Sequence, residues 1–175
     1  LFYFVFMQES AMSCDVSEII QELENDFTIR PYLTAIEKIP SKEAQFADFP
    51  QWLNSNLINI LKKDGISQLY SHQASALESV KNGGNIITIT PTASGKTLCY
   101  NLPVLNSVIE NPGARAIYLF PTKALAQDQL GELYHLIEEL KKPIKTFTYD
   151  GDTPVSARSV IRKQANIIVT NPDML

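Results

Sequence analysis

Gly95, Lys96 and Thr97 stand together after a stretch of small residues, and this combination suits the binding of a phosphate chain. The β-branched run 86–90 before them predicts a strand that leads into a loop. Small side chains let the backbone N–H groups of 93–96 approach a polyanion closely. Lys96 then meets the β- and γ-phosphates, while the Thr97 hydroxyl is offered to Mg²⁺. These residues therefore predict a site for ATP with Mg²⁺.

The loop departs from the general phosphate-binding pattern at one position. That pattern starts with Gly, continues through four free residues and ends in Gly-Lys-Ser/Thr. Thr90 occupies the first position here, and the residues expected to surround the phosphates are Thr92, Ala93, Ser94, Gly95, Lys96 and Thr97. The alternative, a strand and turn with an uninvolved lysine, explains less because strand, loop and Gly-Lys-Thr occur in the required order.

A glutamine upstream of the loop is a candidate for recognising the base. Gln73 lies in the first turn of a helix that we expect Ser71 to cap. Its amide offers a donor and an acceptor together, the pair needed to read the edge of adenine. Tyr70 or His72 would stack on the ring. The alternative is an exposed glutamine beside a core tyrosine, and residue types alone leave both open.

Strands and helices alternate regularly from residue 86 onward. Strands are predicted at 86–90, 116–120, 144–149 and 165–170. Helices are predicted at 96–110, from a Thr122 cap to 140, and from Thr153-Pro154 to 163. The helix to 140 is expected to pack on the sheet through an apolar stripe of Ala126, Leu130, Leu133, Ile137 and Leu140. This alternation predicts an α/β fold with a mainly parallel sheet covered by helices on both faces. Because ligands collect at the carboxyl ends of such strands, we expect the site there.

The first fifty residues are interpreted as an N-terminal extension and linker, with the α/β domain at 51–175. A short amphipathic helix is predicted up to Asn25, and 40–50 is expected to be a linker. The apolar segment 1–7 is too short to span a bilayer and is interpreted as a leader ahead of Met7 or Met12. A short edge strand or a membrane anchor remains an alternative for it.

Composition places few limits on function. Fifteen Lys and Arg against nineteen Asp and Glu give a net charge of −4, so a nucleic-acid site would have to be a local basic patch. Two cysteines and two histidines form no metal-binding or disulfide pattern. We expect a reduced, cytoplasmic setting and no membrane partner.

The order of these segments resembles the first RecA-like lobe of superfamily 2 DEAD/DEXH-box helicases. Leu-Tyr70-Ser-His-Gln73 is similar to the Q motif, and 90–97 is similar to motif I, which in that superfamily often lacks the first Gly. Residues 120–129 resemble motif Ia and 170–175 resemble motif Ib. In wording the motifs are most similar to the YprA/MrfA-type ATP-dependent DNA helicases, relatives of the RecQ-like group linked to repair. The resemblance covers about 52–175.

The resemblance implies binding of single-stranded nucleic acid, with DNA preferred over RNA. The residues expected to contact it through backbone phosphates are Pro121, Thr122, Lys123, Gly151, Thr170, Asn171 and Pro172. N–H groups at a helix start and threonine hydroxyls hold phosphates without reading bases. An ordinary threonine cap is the alternative for either threonine alone. Arg158, Arg162 and Lys163 are expected on a solvated helical face, although they would extend the same track.

Hydrolysis requires groups that we do not find in this sequence. The family carries an Asp-Glu-x-His box and a second lobe with arginines, and neither precedes Leu175. We therefore expect an amino-terminal part of a helicase that binds ATP weakly, contains no catalytic residue and does not turn over. The alternatives are a non-catalytic nucleotide and nucleic-acid binding module, part of an RNA helicase, or an inactive product of a degraded gene.

Overall fold

The computed structural model describes residues 16–35, 43–91 and 94–174. The chain divides into two units, Leu1–Glu43 and Ala44–Leu175. In the first unit, the predicted amphipathic helix is present as α1 (Val16–Asn25), and a short 3-10 helix follows at Arg30–Tyr32. The leader predicted at 1–7 lies outside the described residues.

The second unit contains five short strands and five helices in its described residues. In chain order these are β1 (Phe46–Ala47), α2 (Ser55–Lys63), β2 (Leu69–Tyr70), α3 (Ser71–Lys81), α4 (Lys96–Glu110), β3 (Ala116–Leu119), α5 (Lys123–Leu140), β4 (Thr146–Tyr149), α6 (Val155–Gln164) and β5 (Ile167–Thr170). A final 3-10 helix spans Pro172–Met174.

Strands β3, β5 and β4 form a parallel sheet in that spatial order, which confirms the predicted α/β class. Leu119 and Tyr149 both pair with Thr170. The three strands therefore end at the same edge, and the loops that follow them start side by side.

The strand predicted at 86–90 is absent from the structure, and that prediction is wrong. These residues form no ladder, and the side chains of Ile87 and Ile89 are each 89% exposed. A β-branched run becomes a strand only where another strand pairs with it, and the described residues supply no such partner. The segment 86–90, which leads into the candidate phosphate loop at 90–97, is thus outside the sheet that the described residues form.

The structure corrects three other local predictions. The expected linker contains β1, which pairs antiparallel with β2. Helix α3 begins at Ser71 with Tyr70 in the capping position, so Ser71 is not the cap. Pro154 rather than Thr153 precedes α6, because the Thr153 hydroxyl is engaged with Asp150.

The core lies where α2 and α5 pack together beneath the sheet. The apolar stripe predicted on α5 is confirmed by its burial at Leu130, Leu133, Ile137 and Leu140. The same cluster includes Leu57 and Leu61 of α2 and Ile167 and Val169 of β5. Burying this stripe fixes the start of α5, and with it the loop after β3, relative to the sheet edge.

Candidate nucleotide site and strand-end loops

The side chain of Lys96 folds back over the loop that precedes α4. Its ammonium donates to the carbonyl oxygens of Thr90 at 2.8 Å and Pro91 at 2.6 Å. Longer contacts join it to the hydroxyls of Thr90 at 3.3 Å and Ser94 at 3.4 Å. The cation is therefore held inside a ring of oxygens at the amino end of a helix. Thr92 and Ala93, also predicted to contact phosphate, lie outside the described residues.

Gly95 connects this loop to α4 in a conformation that favours glycine. Its φ is +69°, and a Cβ added there would lie 2.5 Å from Nε2 of Gln73. Left-handed backbone costs a residue with a Cβ free energy, and here the added atom would also have to displace the Gln73 amide. A glycine at this position thus allows α3 and the start of α4 to approach closely.

Gln73 is 2% exposed, and its amide joins two candidate binding segments. Its Oε1 accepts a hydrogen bond from the Tyr70 backbone N–H at 2.8 Å, and its Nε2 donates to the Gly95 carbonyl at 2.8 Å. The predicted base-reading residue and the phosphate loop are therefore in direct contact. In this arrangement the donor and the acceptor of the amide are both engaged within the chain.

Three rings form a stack next to Gln73. Tyr70 lies between Phe46 and His72, with ring centroids 5.3 Å and 5.7 Å apart and interplanar angles of 22° and 12°. The Phe46 side chain is 58% exposed, so the stack ends in an open aromatic face. Sequence reasoning missed Phe46, because only the pairing of β1 with β2 brings it opposite Tyr70.

Thr97, the predicted Mg²⁺ ligand, is linked to α5. Its hydroxyl donates to Oε1 of Gln129 at 3.0 Å, and the hydroxyl of Tyr100 donates to the same oxygen at 2.6 Å. Burial is the main cause that raises the pKa of Tyr100. Sequence reasoning also missed Gln129, whose place depends on how α4 and α5 pack.

The loop after β3 leads into the amino end of α5. Thr122 caps this helix, since its hydroxyl oxygen accepts a hydrogen bond from the Leu125 backbone N–H at 3.3 Å. Pro121, Thr122 and Lys123 are exposed. Their positions suit contact with an anion, because free N–H groups at a helix start favour negative charge.

Lys123 pairs with the acidic loop after β4. Its ammonium contacts the Asp152 carboxylate and lies 3.5 Å from that of Asp150. The hydrogen bond to Asp152 is the main cause that raises the pKa of Lys123. Burial raises the pKa of Asp150, but the Lys123 charge and hydrogen bonds from Asp152 and Thr153 outweigh it, so the net shift is downward. The cation predicted to hold phosphate is thus partly neutralised by its own chain.

The residues after β5 differ in how accessible they are. Thr170 is 6% exposed, and its hydroxyl donates to the Tyr149 carbonyl at 2.5 Å. Pro172 and Gly151 are exposed. Asn171 is partly buried, and its Oδ1 is a buried oxygen without a hydrogen-bond partner among the described residues. The Thr170 hydroxyl therefore joins β5 to β4, whereas Gly151 and Pro172 are accessible to solvent.

The predicted solvated face of α6 is exposed at Arg162 and Lys163. Arg158 is partly buried, donates to the Thr153 carbonyl at 3.0 Å and lies 5.7 Å from the centroid of the Tyr149 ring. Arg158 therefore secures the loop after β4. No helix of the part of the chain that the structure describes is long and apolar enough to cross a membrane.

Comparison with known proteins places this arrangement in a family. The DEAD/DEAH box helicase family matches residues 70–175, which include the phosphate loop and all three strand-end loops. The chain belongs to the DEAD/DEAH box helicase family. The resemblance deduced from the motif order is thereby confirmed.

Individual relatives agree with this membership. This helicase-family chain is 47% identical over 160 residues to the uncharacterized ATP-dependent helicase YprA of Bacillus subtilis, covering 91% of the chain and 21% of that relative. It is 38% identical over 168 residues to the ATP-dependent helicase hrq1 of Schizosaccharomyces pombe, covering 93% of the chain and 16% of that relative. The chain thus spans about a fifth of the length of YprA and about a sixth of that of hrq1.

Solved structures give the same result. The DUF1998 helicase MrfA bound to DNA superposes with a TM-score of 0.81 at 46% identity, covering 93% of this chain and 22% of MrfA. MrfA bound to DNA and AMPPNP gives a TM-score of 0.79 at 46% identity, covering 91% and 22%. The fold and the local sequence therefore correspond together, which confirms the RecA-like fold.

Proposed function

We propose that this chain is the nucleotide-binding part of an ATP-dependent DNA helicase that acts in DNA repair. Lys96 and Thr97 hold ATP with Mg²⁺, and the loops after β3, β4 and β5 hold one DNA strand by its phosphates. The observation that carries the proposal is the Lys96 ammonium, held over the loop at the amino end of α4. The relative at 46% identity that is bound to DNA supports DNA as the nucleic acid.

The residues present fit a nucleoside triphosphate with Mg²⁺. The Lys96 ammonium is held by carbonyl and hydroxyl oxygens, which are contacts that phosphate oxygens replace. Gly95, with its φ of +69°, lets the loop turn into α4 beside Lys96. The Thr97 hydroxyl donates its proton to Gln129 and so keeps its lone pairs for a cation. Cation, close backbone approach and an oxygen ligand are thus all available.

When bound, ATP supplies the phosphoanhydride bond whose cleavage powers the reaction. Lys96 binds its phosphates, and Thr97 orients the metal. For adenine, the exposed ring of Phe46 offers a stacking surface, and the Gln73 amide offers its hydrogen-bonding edge once it leaves Tyr70 or Gly95. The adenine site is therefore closed by internal hydrogen bonds that the base must replace.

The nucleotide part of the proposal is tested by equilibrium binding of a fluorescent ATP analogue. Lys96→Ala should weaken binding at least tenfold in the presence of Mg²⁺, because it removes a charge-assisted contact to phosphate. Lys142→Ala is the matched control, since Lys142 is exposed in the turn after α5. Equal affinities of wild type, K96A and K142A would contradict a phosphate site here.

The nucleic-acid part is tested by filter binding of a single-stranded oligonucleotide. Thr122→Ala removes the cap at the start of α5, and we expect weaker binding, whereas Thr122→Ser should retain it. Single strands of matched DNA and RNA sequence should differ, with DNA bound more tightly. Unchanged affinity of T122A, or tighter binding of RNA, would refute the corresponding part.

A further inference from the structure

Gln129 contacts the candidate nucleotide site from a different helix. It lies on α5, outside the phosphate loop, yet its Oε1 accepts the hydroxyl proton of Thr97 at 3.0 Å. A threonine hydroxyl has one proton and two lone pairs. When the proton is donated to Gln129, the lone pairs are directed away from that bond and are free to bind a cation.

A second hydroxyl shares the same oxygen of Gln129. The Tyr100 hydroxyl donates to Oε1 at 2.6 Å, whereas a rotated amide would donate from Nε2 to the hydroxyl oxygens and occupy a lone pair of Thr97. Tyr100 is held in turn by the ring of Tyr118, with centroids 5.4 Å apart at 86°. Tyr118 is 8% exposed, and its hydroxyl donates to Asn101 at 3.0 Å. Buried residues therefore hold the Tyr100 ring in place.

We propose that Gln129 is a positioning residue that holds the Thr97 hydroxyl in the orientation required to bind Mg²⁺. This inference rests on the proposed function of the Lys96 and Thr97 site. It assigns a specific role to a residue on α5, whose amino end carries the candidate nucleic-acid contacts. Gln129 acts through Thr97 and does not itself touch the metal or the nucleotide.

The test measures the dissociation constant of a fluorescent ATP analogue in EDTA and in Mg²⁺. The value in EDTA divided by the value in Mg²⁺ gives the factor by which the metal strengthens binding. Gln129→Leu should lower this ratio about five- to tenfold, the effect of one lost hydrogen bond at the ligand, and leave binding in EDTA unchanged. Gln129→Glu keeps an oxygen acceptor at the same reach, and its ratio should equal or exceed that of wild type.

Three further variants keep the inference falsifiable. Thr97→Val should lower the ratio, and combining it with Q129L should add nothing, because both act on one bond. Gln127→Leu, an exposed position of α5, should behave as wild type. If Q129L fails to fold, Gln129→Asn retains the amide but shortens its reach, and it should lower the ratio in the same way.

The outcomes separate this inference from the proposed function. A wild-type chain that binds no nucleotide in either condition refutes the proposed function. Wild-type binding that depends on Mg²⁺, with an unchanged ratio in Q129L and Q129N, overturns the role of Gln129 alone. An equal loss of affinity in Mg²⁺ and EDTA also overturns it, since that result indicates a general structural role.

Discussion

Replacing Gln73 by leucine should destabilise the second unit, because this side chain joins the start of α3 to the phosphate loop. Leucine has a similar volume and suits a position that is 2% exposed, so the main change is the loss of two hydrogen bonds. The Tyr70 backbone N–H loses its acceptor. The Gly95 carbonyl keeps a second donor, the Leu98 backbone N–H at 3.2 Å.

These two losses differ in size. An unsatisfied, partly buried N–H group costs about 1–3 kcal/mol. A carbonyl that keeps one of two hydrogen bonds loses about 0.5–1 kcal/mol. Taken together, Gln73→Leu should lower the free energy of unfolding by about 1.5–4 kcal/mol.

Urea denaturation followed by circular dichroism measures this change. The midpoint should fall while the slope stays constant, because the mutation alters stability rather than the surface exposed on unfolding. Gln127→Leu makes the same chemical change at an exposed site of α5 and should stay within about 0.5 kcal/mol of wild type. If Q73L proves as stable as Q127L, the hydrogen bonds of Gln73 do not contribute as argued here.

Three further predictions concern other parts of the second unit. Asp152→Asn removes the ion pair with Lys123, so affinity for a single-stranded oligonucleotide in filter binding should rise; lower or unchanged affinity would refute a restraining role. Burial raises the pKa of Tyr118, so the unfolded chain loses the phenol proton at a lower pH than the folded chain. Its contribution to stability is therefore complete below the unfolded-state pKa of about 10 and decreases as the pH rises above that value. Tyr118→Phe should therefore lose less stability than wild type between pH 8 and about pH 11 in urea denaturation, and parallel losses would contradict this. Leu133→Ala, at a position 1% exposed, should cost about 2–5 kcal/mol in the same assay, against less than about 1 kcal/mol for Leu125→Ala at a position 41% exposed; equal costs would place Leu133 outside the core.

Much of the fold was predictable because its signals are local. The helix from Lys96 to Glu110 was predicted with the bounds that the structure shows, and the apolar spacing on α5 identified its buried stripe. The run 86–90 was predicted wrongly, since a strand depends on a pairing partner that is not encoded in its own residues. The roles of the site residues remain predictions, and the structure adds the contacts through which they can be tested.

The sequence by itself determined the family and the α/β class, because residue type, spacing and order carry that information. Tertiary structure alone decided which side chains meet. It placed Phe46 against Tyr70, Gln129 against Thr97, and Lys123 against the acidic loop. These contacts join segments far apart in the chain, and their geometry depends on how helices pack on a sheet, which no local pattern specifies.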